Sequence, residues 1–295
     1  MNKLFQGLAL ASAVFFASCS DDEGSTGTLS LSITDAPIDA DLVEEAVISF
    51  TQVEVNGPEG WETVAQFEEP LSINLLDYQE GDGYFITEEE LPAGNYSEFR
   101  LKLSAPERDG GDAANPGSYL KMTDGTVEPL FVPSGSQSGF KIKGEFFLQP
   151  DGVTNVTLDF NLRKSVVIAG ASEKYLLKPV VRLIVNEDAG MIDGTLVDAD
   201  SIGGSLVVYS YDDDTFTEAE LTADLEENAF PNSVNSDLLD EAGDFRLAFM
   251  SSGIYDLYFV RTLDGVEEVI GTRQDVDVIP GTIVDLTVYA DSLAN

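Results

Sequence analysis

The sequence predicts an all-β protein, two consecutive antiparallel β-sandwich domains that follow a signal peptide, and three observations carry that prediction. From Thr28 onward apolar residues recur at every second position, the period of half-buried strands. Clusters of Gly, Pro, Asn and Asp break these runs at short intervals, as turns between strands do. Near residue 187 the charge changes: 26 acidic and 11 basic residues lie between Ser25 and Asn186, against 25 and 3 from Glu187 to the end.

The chain opens on Lys3 and the apolar run Leu4 to Ala17, too short to span a bilayer at about 20 residues but suited to the core of a signal peptide, residues 1–18. Ala17 and Ser18 precede Cys19, the only cysteine. Phe16-Ala17-Ser18-Cys19 resembles the bacterial lipobox, which implies lipidation of Cys19 and attachment to a membrane through that lipid. Residues 19–27 form an acidic, flexible tether. Within it Ser20-Asp21-Asp22-Glu23 resembles the export tether of Bacteroidota lipoproteins, which implies an outer-membrane lipoprotein at the cell surface, the periplasm-facing leaflet being the alternative.

Strand alternation follows in Leu29, Leu31 and Ile33, in Phe99, Leu101 and Leu103, in Phe140 and Ile142, and in Val156, Leu158, Phe160 and Leu162. Helical periodicity is weak, confined to Asp39–Ile48 and to Glu218–Glu227, where a solvated loop fits equally well. Turn signals stand at Asn56-Gly57-Pro58, Pro92 to Asn95, Pro133-Ser134-Gly135 and Pro280-Gly281.

Leu31–Pro37, Leu91–Leu101, Val132–Ile142 and Leu158–Leu183 together resemble the domain-of-unknown-function family 4382 of bacterial envelope proteins, placing that domain at 28–186. The resemblance names a domain and implies no activity. Gly194-Thr195-Leu196-Val197, Gly243 to Leu247, Gly253 to Leu257 and the closing strands Asp275–Val278 and Val284–Tyr289 resemble the prealbumin-like, carboxypeptidase-regulatory type of sandwich. That resemblance implies a spacer or stabilising appendage at 187–295. Both sandwiches are thus expected to be Ig-like or prealbumin-like.

The chain has no histidine and one cysteine already assigned to lipid, which excludes Ser-His-Asp and Cys-His catalysis, His-ligated zinc and thiolate metal sites. No glycine-rich phosphate loop is present. The net charge of −39 repels nucleic acid and anionic headgroups.

Against that field, Arg100 and Lys102 share a strand face with Glu98, Lys141 and Lys143 share one with Glu145, and Arg163 shares one with Asp159. If the strands are neighbours, these five cations form a patch for a carboxylated or sulfated glycan; the alternative is a ladder of exposed ion pairs. Ser136 and Gln137, in the loop 133–139, offer ligand-gripping groups or an ordinary hairpin connection. Acidic clusters suggest calcium, chiefly Asp198, Asp200, Asp212, Asp213 and Asp214, with a second group of Asp77, Glu80, Asp82 and Glu88 to Glu90; the alternative is solvated acidic loops, and no cofactor is otherwise implied. Trp61 reads either as a sugar-stacking platform or as a cap on the core, in a loop-rich region with Tyr78 and Tyr84. The function expected is a non-catalytic binding or structural module of the envelope, its partner a glycan or an envelope protein. A carboxylate-dependent glycan hydrolase is the alternative.

Overall fold

The computed structural model describes residues 25–36, 43–105, 117–132, 139–169, 174–222 and 230–293. The signal segment, Cys19, most of the tether, Ser136 and Gln137 lie outside the described residues. Among those described, no helix is long and apolar enough to cross a membrane.

The all-β expectation is borne out. In the first half, one sheet has the order β12 (Val181–Val185), β9 (Val153–Asn161), β1 (Thr26–Ala36), β4 (Tyr84–Pro92). The facing sheet runs β7 (Val127–Pro129), β6 (Tyr119–Met122), β2 (Val43–Gly57), β5 (Gly94–Leu103), β8 (Phe140–Leu148), with β3 (Gly60–Asn74) also paired to β2. Between the sheets lie Leu29, Leu31 and Ile33 of β1, Val53 and Val55 of β2, Phe99 and Leu101 of β5, and Leu158 and Phe160 of β9, all fully buried. Period-two alternation builds this core in β1 and β5, where inward residues dehydrate while their neighbours stay partly wet, whereas β9 is buried without interruption from Val156 to Asn161. Residues 166–177 add the small hairpin of β10 (Val166–Ala169) and β11 (Lys174–Leu177).

The second half sets β16 (Asp244–Ser251), β13 (Ala189–Val197) and β19 (Ile283–Tyr289) against β15 (Asn235–Leu238), β14 (Ser205–Asp212), β17 (Gly253–Leu263) and β18 (Val266–Val278). Its core holds Ile192, Leu196, Val208, Leu247, Leu257 and Phe259. Six successive residues of β14 are buried, because the outer face of its sheet carries a second cluster, Val207, Tyr209, Tyr211, Phe230 and Val260.

The two halves repeat one topology. The first strand of each, β1 or β13, lies between an antiparallel partner, β4 or β16, and a parallel one, β9 or β19. In the facing sheets, β3-β2-β5-β8 corresponds pair by pair to β15-β14-β17-β18, every pair antiparallel. Seven strands thus recur in the same order, and β6, β7 and β10–β12 are insertions in the first half. Each sandwich therefore carries one parallel pair within its otherwise antiparallel sheets; it is possible because the rest of the sandwich forms the long crossover that parallel strands require.

The correspondence extends to a side chain. Where the chain crosses between sheets, Tyr96 Oη donates to the Pro92 carbonyl at 2.7 Å and Tyr255 Oη donates to the Ser251 carbonyl at 2.9 Å. Both follow a Gly-x-Tyr string, Gly94-Asn95-Tyr96 and Gly253-Ile254-Tyr255. The Tyr96 ring lies on Gly57, whose missing Cβ would stand 2.1 Å from the ring.

One helical expectation is corrected. Residues 43–48 of the Asp39–Ile48 window form the start of β2, where Ala46 to Phe50 are buried without interruption and a helix would expose half of them; residues 39–42 lie outside the described region. Of the Glu218–Glu227 window, Glu218–Thr222 is a 3-10 turn and the remainder lies outside the described residues.

Candidate functional site

The outer face of the β3-β2-β5-β8 sheet gathers four of the five predicted cations. Register places Arg100 opposite Lys141 and Lys143 opposite Glu98 across β5 and β8, while Glu54 and Gln52 of β2 oppose Arg100 and Lys102. Glu54 sits between two cations, Arg100 Nη1 at 3.1 Å and Lys102 Nζ at 3.2 Å, and Lys141 Nζ reaches Glu98 at 3.5 Å. Lys102 also donates to Gln52 Oε1 at 2.8 Å. Lys143 stands on the same exposed face with no ion pair among the described residues.

Trp61, on β3, is 37% exposed and completes this face. The Arg100 guanidinium stacks 3.8 Å from its ring centroid and the Lys141 ammonium lies at 5.7 Å. The indole is thus a braced surface platform and not a core cap; Tyr78 and Tyr84 pack edge-to-face on each other at 5.4 Å, separately from it. The ladder of ion pairs is present. It is incomplete as charge balance: Arg100, Lys102 and Lys141 share the two carboxylates Glu54 and Glu98, Lys143 pairs with neither, and Glu145 adds a third carboxylate on the outward face of β8.

Arg163 does not belong to this face. β9 ends at Asn161, and the side chain of Asn161 caps the helical turn α1 (Leu162–Ser165) by accepting from Lys164 N at 2.9 Å, which turns Arg163 away from the strand. Arg163 instead donates to the Phe230 carbonyl at 3.2 Å and Ser233 Oγ at 3.0 Å, with its guanidinium 4.8 Å over the Tyr209 ring. Neighbouring Lys164 donates to the Ser233 carbonyl, and burial pushes its ammonium down to about 8. Two cations of the first half thus hold a loop of the second.

The five acids expected to bind calcium do not converge. Asp198 and Asp200 precede β14 and Asp212 to Asp214 follow or end it, so the strand separates them by about 23 Å at 3.3 Å per residue. Asp213 and Asp214 instead meet Asp256, a residue the sequence pattern hid, with carboxylate oxygens within 4.8 Å of one another. Desolvation first, and then repulsion from Asp214, Asp256 and Asp275, pushes the Asp213 carboxyl up. Both Asp256 oxygens already accept backbone N–H groups, from Asp214 and Asp275 at 3.2 Å each. Asp213, Asp214 and Asp256 thus form a cluster of three carboxylates, one of them buried and tied to the backbone. The second acidic group is dispersed as well: Asp77 accepts from Asn74, while Glu88 to Glu90 extend along β4.

Two cavities were not anticipated. One, of about 410 Å³, is lined by Glu80 together with Asp193, Asp237, Asp240, Asp244 and Arg246. Asp237 is 2% exposed, and burial pushes its carboxyl up to about 7, although Oδ2 accepts the Arg246 backbone N–H at 2.6 Å. Arg246 is itself held bidentately by Asp193, at 2.5 and 2.9 Å. The other cavity, of about 780 Å³, lies where β8 approaches β9 and β12. Sequence alone gave no sign of either, since each collects residues from strands distant in the chain.

Residues 26–179 match a family model described as a domain of unknown function, DUF4382. No curated protein matches the chain. Similar solved structures include the Bacillus anthracis TIE protein, at 14% identity and a TM-score of 0.23, covering 90% of this chain and 34% of that one. Others are GBS52, the minor pilin of Streptococcus agalactiae, at 11% identity, a TM-score of 0.23 and coverage of 88% and 94%, and the shaft pilin spaA of Lactobacillus rhamnosus GG, at 9%, 0.23 and 90% and 98%. The chain spans about a third of the length of the TIE protein. TM-scores of this size carry no argument about function.

Proposed function

The chain belongs to the DUF4382 family through residues 26–179, and on that premise we propose that it is a non-catalytic, lipid-anchored module of the cell envelope that binds anionic polysaccharide on the Trp61 face. The observation that carries this reading is the cluster of cations there: Arg100 and Lys141 lie over a part-exposed indole, Lys102 shares Glu54 with Arg100, and Lys143 has no ion pair among the described residues, so four cations face the carboxylates Glu54, Glu98 and Glu145 on a protein whose net charge is −39. A carboxylated or sulfated sugar would place its charge on Lys143 and Lys141 and its ring against Trp61.

Cys19 anchors the protein in this reading, and Ser20 to Glu23 direct it to the cell surface. Cys19→Ser should release the protein from the membrane fraction, and protease treatment of intact cells should degrade the wild type; persistence in the membrane or full protection would contradict the respective parts. The binding claim is tested by screening the soluble chain from Ser20 against immobilised sulfated, uronate-containing and neutral polysaccharides. Retention on the anionic set that Arg100→Glu and Lys143→Glu abolish is expected. Equal retention by wild type and charge-reversed proteins would sink the claim.

One observation favours the second reading, a carboxylate-dependent glycan hydrolase: the buried carboxyl of Asp237, held near neutrality beside other acids in a cavity. Release of reducing ends that Asp237→Asn eliminates would establish it. The bond from Arg246 N to Asp237 gives that carboxyl a structural task in the sheet, which is why binding is the leading reading.

A further inference from the structure

We propose that the cavity between the β8 edge and the β9 and β12 strands is a second, separate subsite that takes a neutral saccharide, stacking the apolar face of a pyranose on Phe147. Phe147 is 46% exposed on β8, beside the register shift between the Tyr96–Phe146 and Glu98–Lys143 pairs, and it lines a concavity of about 780 Å³. Val153, 54% exposed, lies in the same wall. A bare aromatic ring in a cavity supplies area at little conformational cost, and a pyranose presents a matching row of C–H groups.

The rest of the lining supplies the other half of sugar recognition. Asn95, Ser97 and Gln149 face the cavity, and their side chains make no hydrogen bond within the described protein. Each amide offers both donors and an acceptor, the complement of vicinal hydroxyls. Glu145, Glu187 and Asp188 add acceptors, and no Lys or Arg lines the cavity. Charge therefore separates this subsite from the Trp61 face: three carboxylates repel uronic and sulfated sugars and accept hydroxyl hydrogens from uncharged ones.

Placement supports a long ligand. Lys141, Lys143, Glu145 and Phe147 alternate outward along β8, the edge strand of its sheet, so Lys143 and Phe147 are about 13 Å apart along one strand at 3.3 Å per residue. An oligosaccharide lying along β8 would meet the cavity at one end and the cationic face at the other.

The test is titration calorimetry of the soluble full chain with neutral hexasaccharides of glucose, xylose and mannose, for wild type, Phe147→Ala and Phe147→Tyr. At least one sugar is expected to bind the wild type, at least tenfold more weakly or not at all to Phe147→Ala, and with near wild-type affinity to Phe147→Tyr. Circular dichroism of Phe147→Ala checks the fold, which an exposed side chain should leave intact. No binding by any of the three sugars, or binding that Phe147→Ala leaves unchanged, would overturn the proposal. Neither result bears on the anionic face, whose failure would show as Lys143→Glu leaving polyanion binding unaltered.

Discussion

Tyr96 and Tyr255 close corresponding corners of the two sandwiches through hydrogen bonds of 2.7 and 2.9 Å to carbonyls four residues upstream. Replacing either by Phe leaves the packed ring and removes one bond, so each should cost about 1 kcal/mol in urea unfolding. The two losses should add, because the rings lie in separate cores. Gly57→Ala should cost more than either, since a Cβ there enters the Tyr96 ring and the ring has no room to leave. Asp237 gives a pH-dependent prediction. Its folded pKa, about 7, lies above that of the unfolded chain, so the folded protein binds the extra proton and this group's contribution to stability falls as pH rises from about 4 to about 7. Asp237→Asn keeps an acceptor for Arg246 N and removes the slope. Relative to wild type the variant should therefore gain stability across that window, by at most about 4 kcal/mol. Parallel pH profiles for the two proteins would show that Asp237 titrates normally.

At the scale of elements, the sequence was most readable where burial is one-sided. Leu29, Leu31 and Ile33, or Phe99 and Leu101, alternate with wet neighbours, and the strands stand where that alternation put them. It was least readable where both faces are covered: the continuous burial of Ala46–Phe50 erased the period and let a helix compete with β2. Arg163 shows a second limit. Its spacing from Asp159 implied a shared strand face, but a cap by Asn161 ends the strand one residue after Phe160, and side-chain direction beyond that point is set by the turn. The Trp61 face was legible as a list of cations but not as a site, because Glu54, the residue that organises it, comes from a strand about 45 residues away in sequence. The turn that Arg163 occupies yields the prediction for this scale. Arg163 and Lys164 hold Phe230 and Ser233 across the two halves, whose apolar cores share no residue. The double replacement Arg163→Ala, Lys164→Ala should leave both cores folded and separate their unfolding in calorimetry into two transitions further apart than in wild type. A single unaltered transition would mean that other contacts couple the halves.

For the whole molecule, the repeated seven-strand topology explains why one polypeptide contains two cores and yet a distinctive surface in only one half. The strand order is shared, while the cations are concentrated in the first half and nearly absent from the second. Alternation alone could not reveal the repetition, because the insertions β6, β7 and β10–β12 disrupt its spacing and only pairing shows which strands correspond. A scaffold of net charge −39 surrounding a cationic, aromatic face sets a specific electrostatic condition: a polyanion must be repelled by most of the surface and attracted by one patch of it. Such binding should be lost through the patch alone and should change steeply with salt. The most direct measurement is calorimetric titration of the soluble chain with a sulfated polysaccharide at two ionic strengths, comparing wild type with Trp61→Ala and Lys143→Glu. Saturable binding that both substitutions weaken at least tenfold, with salt acting more strongly on the wild type than on Lys143→Glu, is the result predicted. Absence of binding at either ionic strength, or affinity indifferent to both substitutions, would contradict the assignment of the Trp61 face as the site.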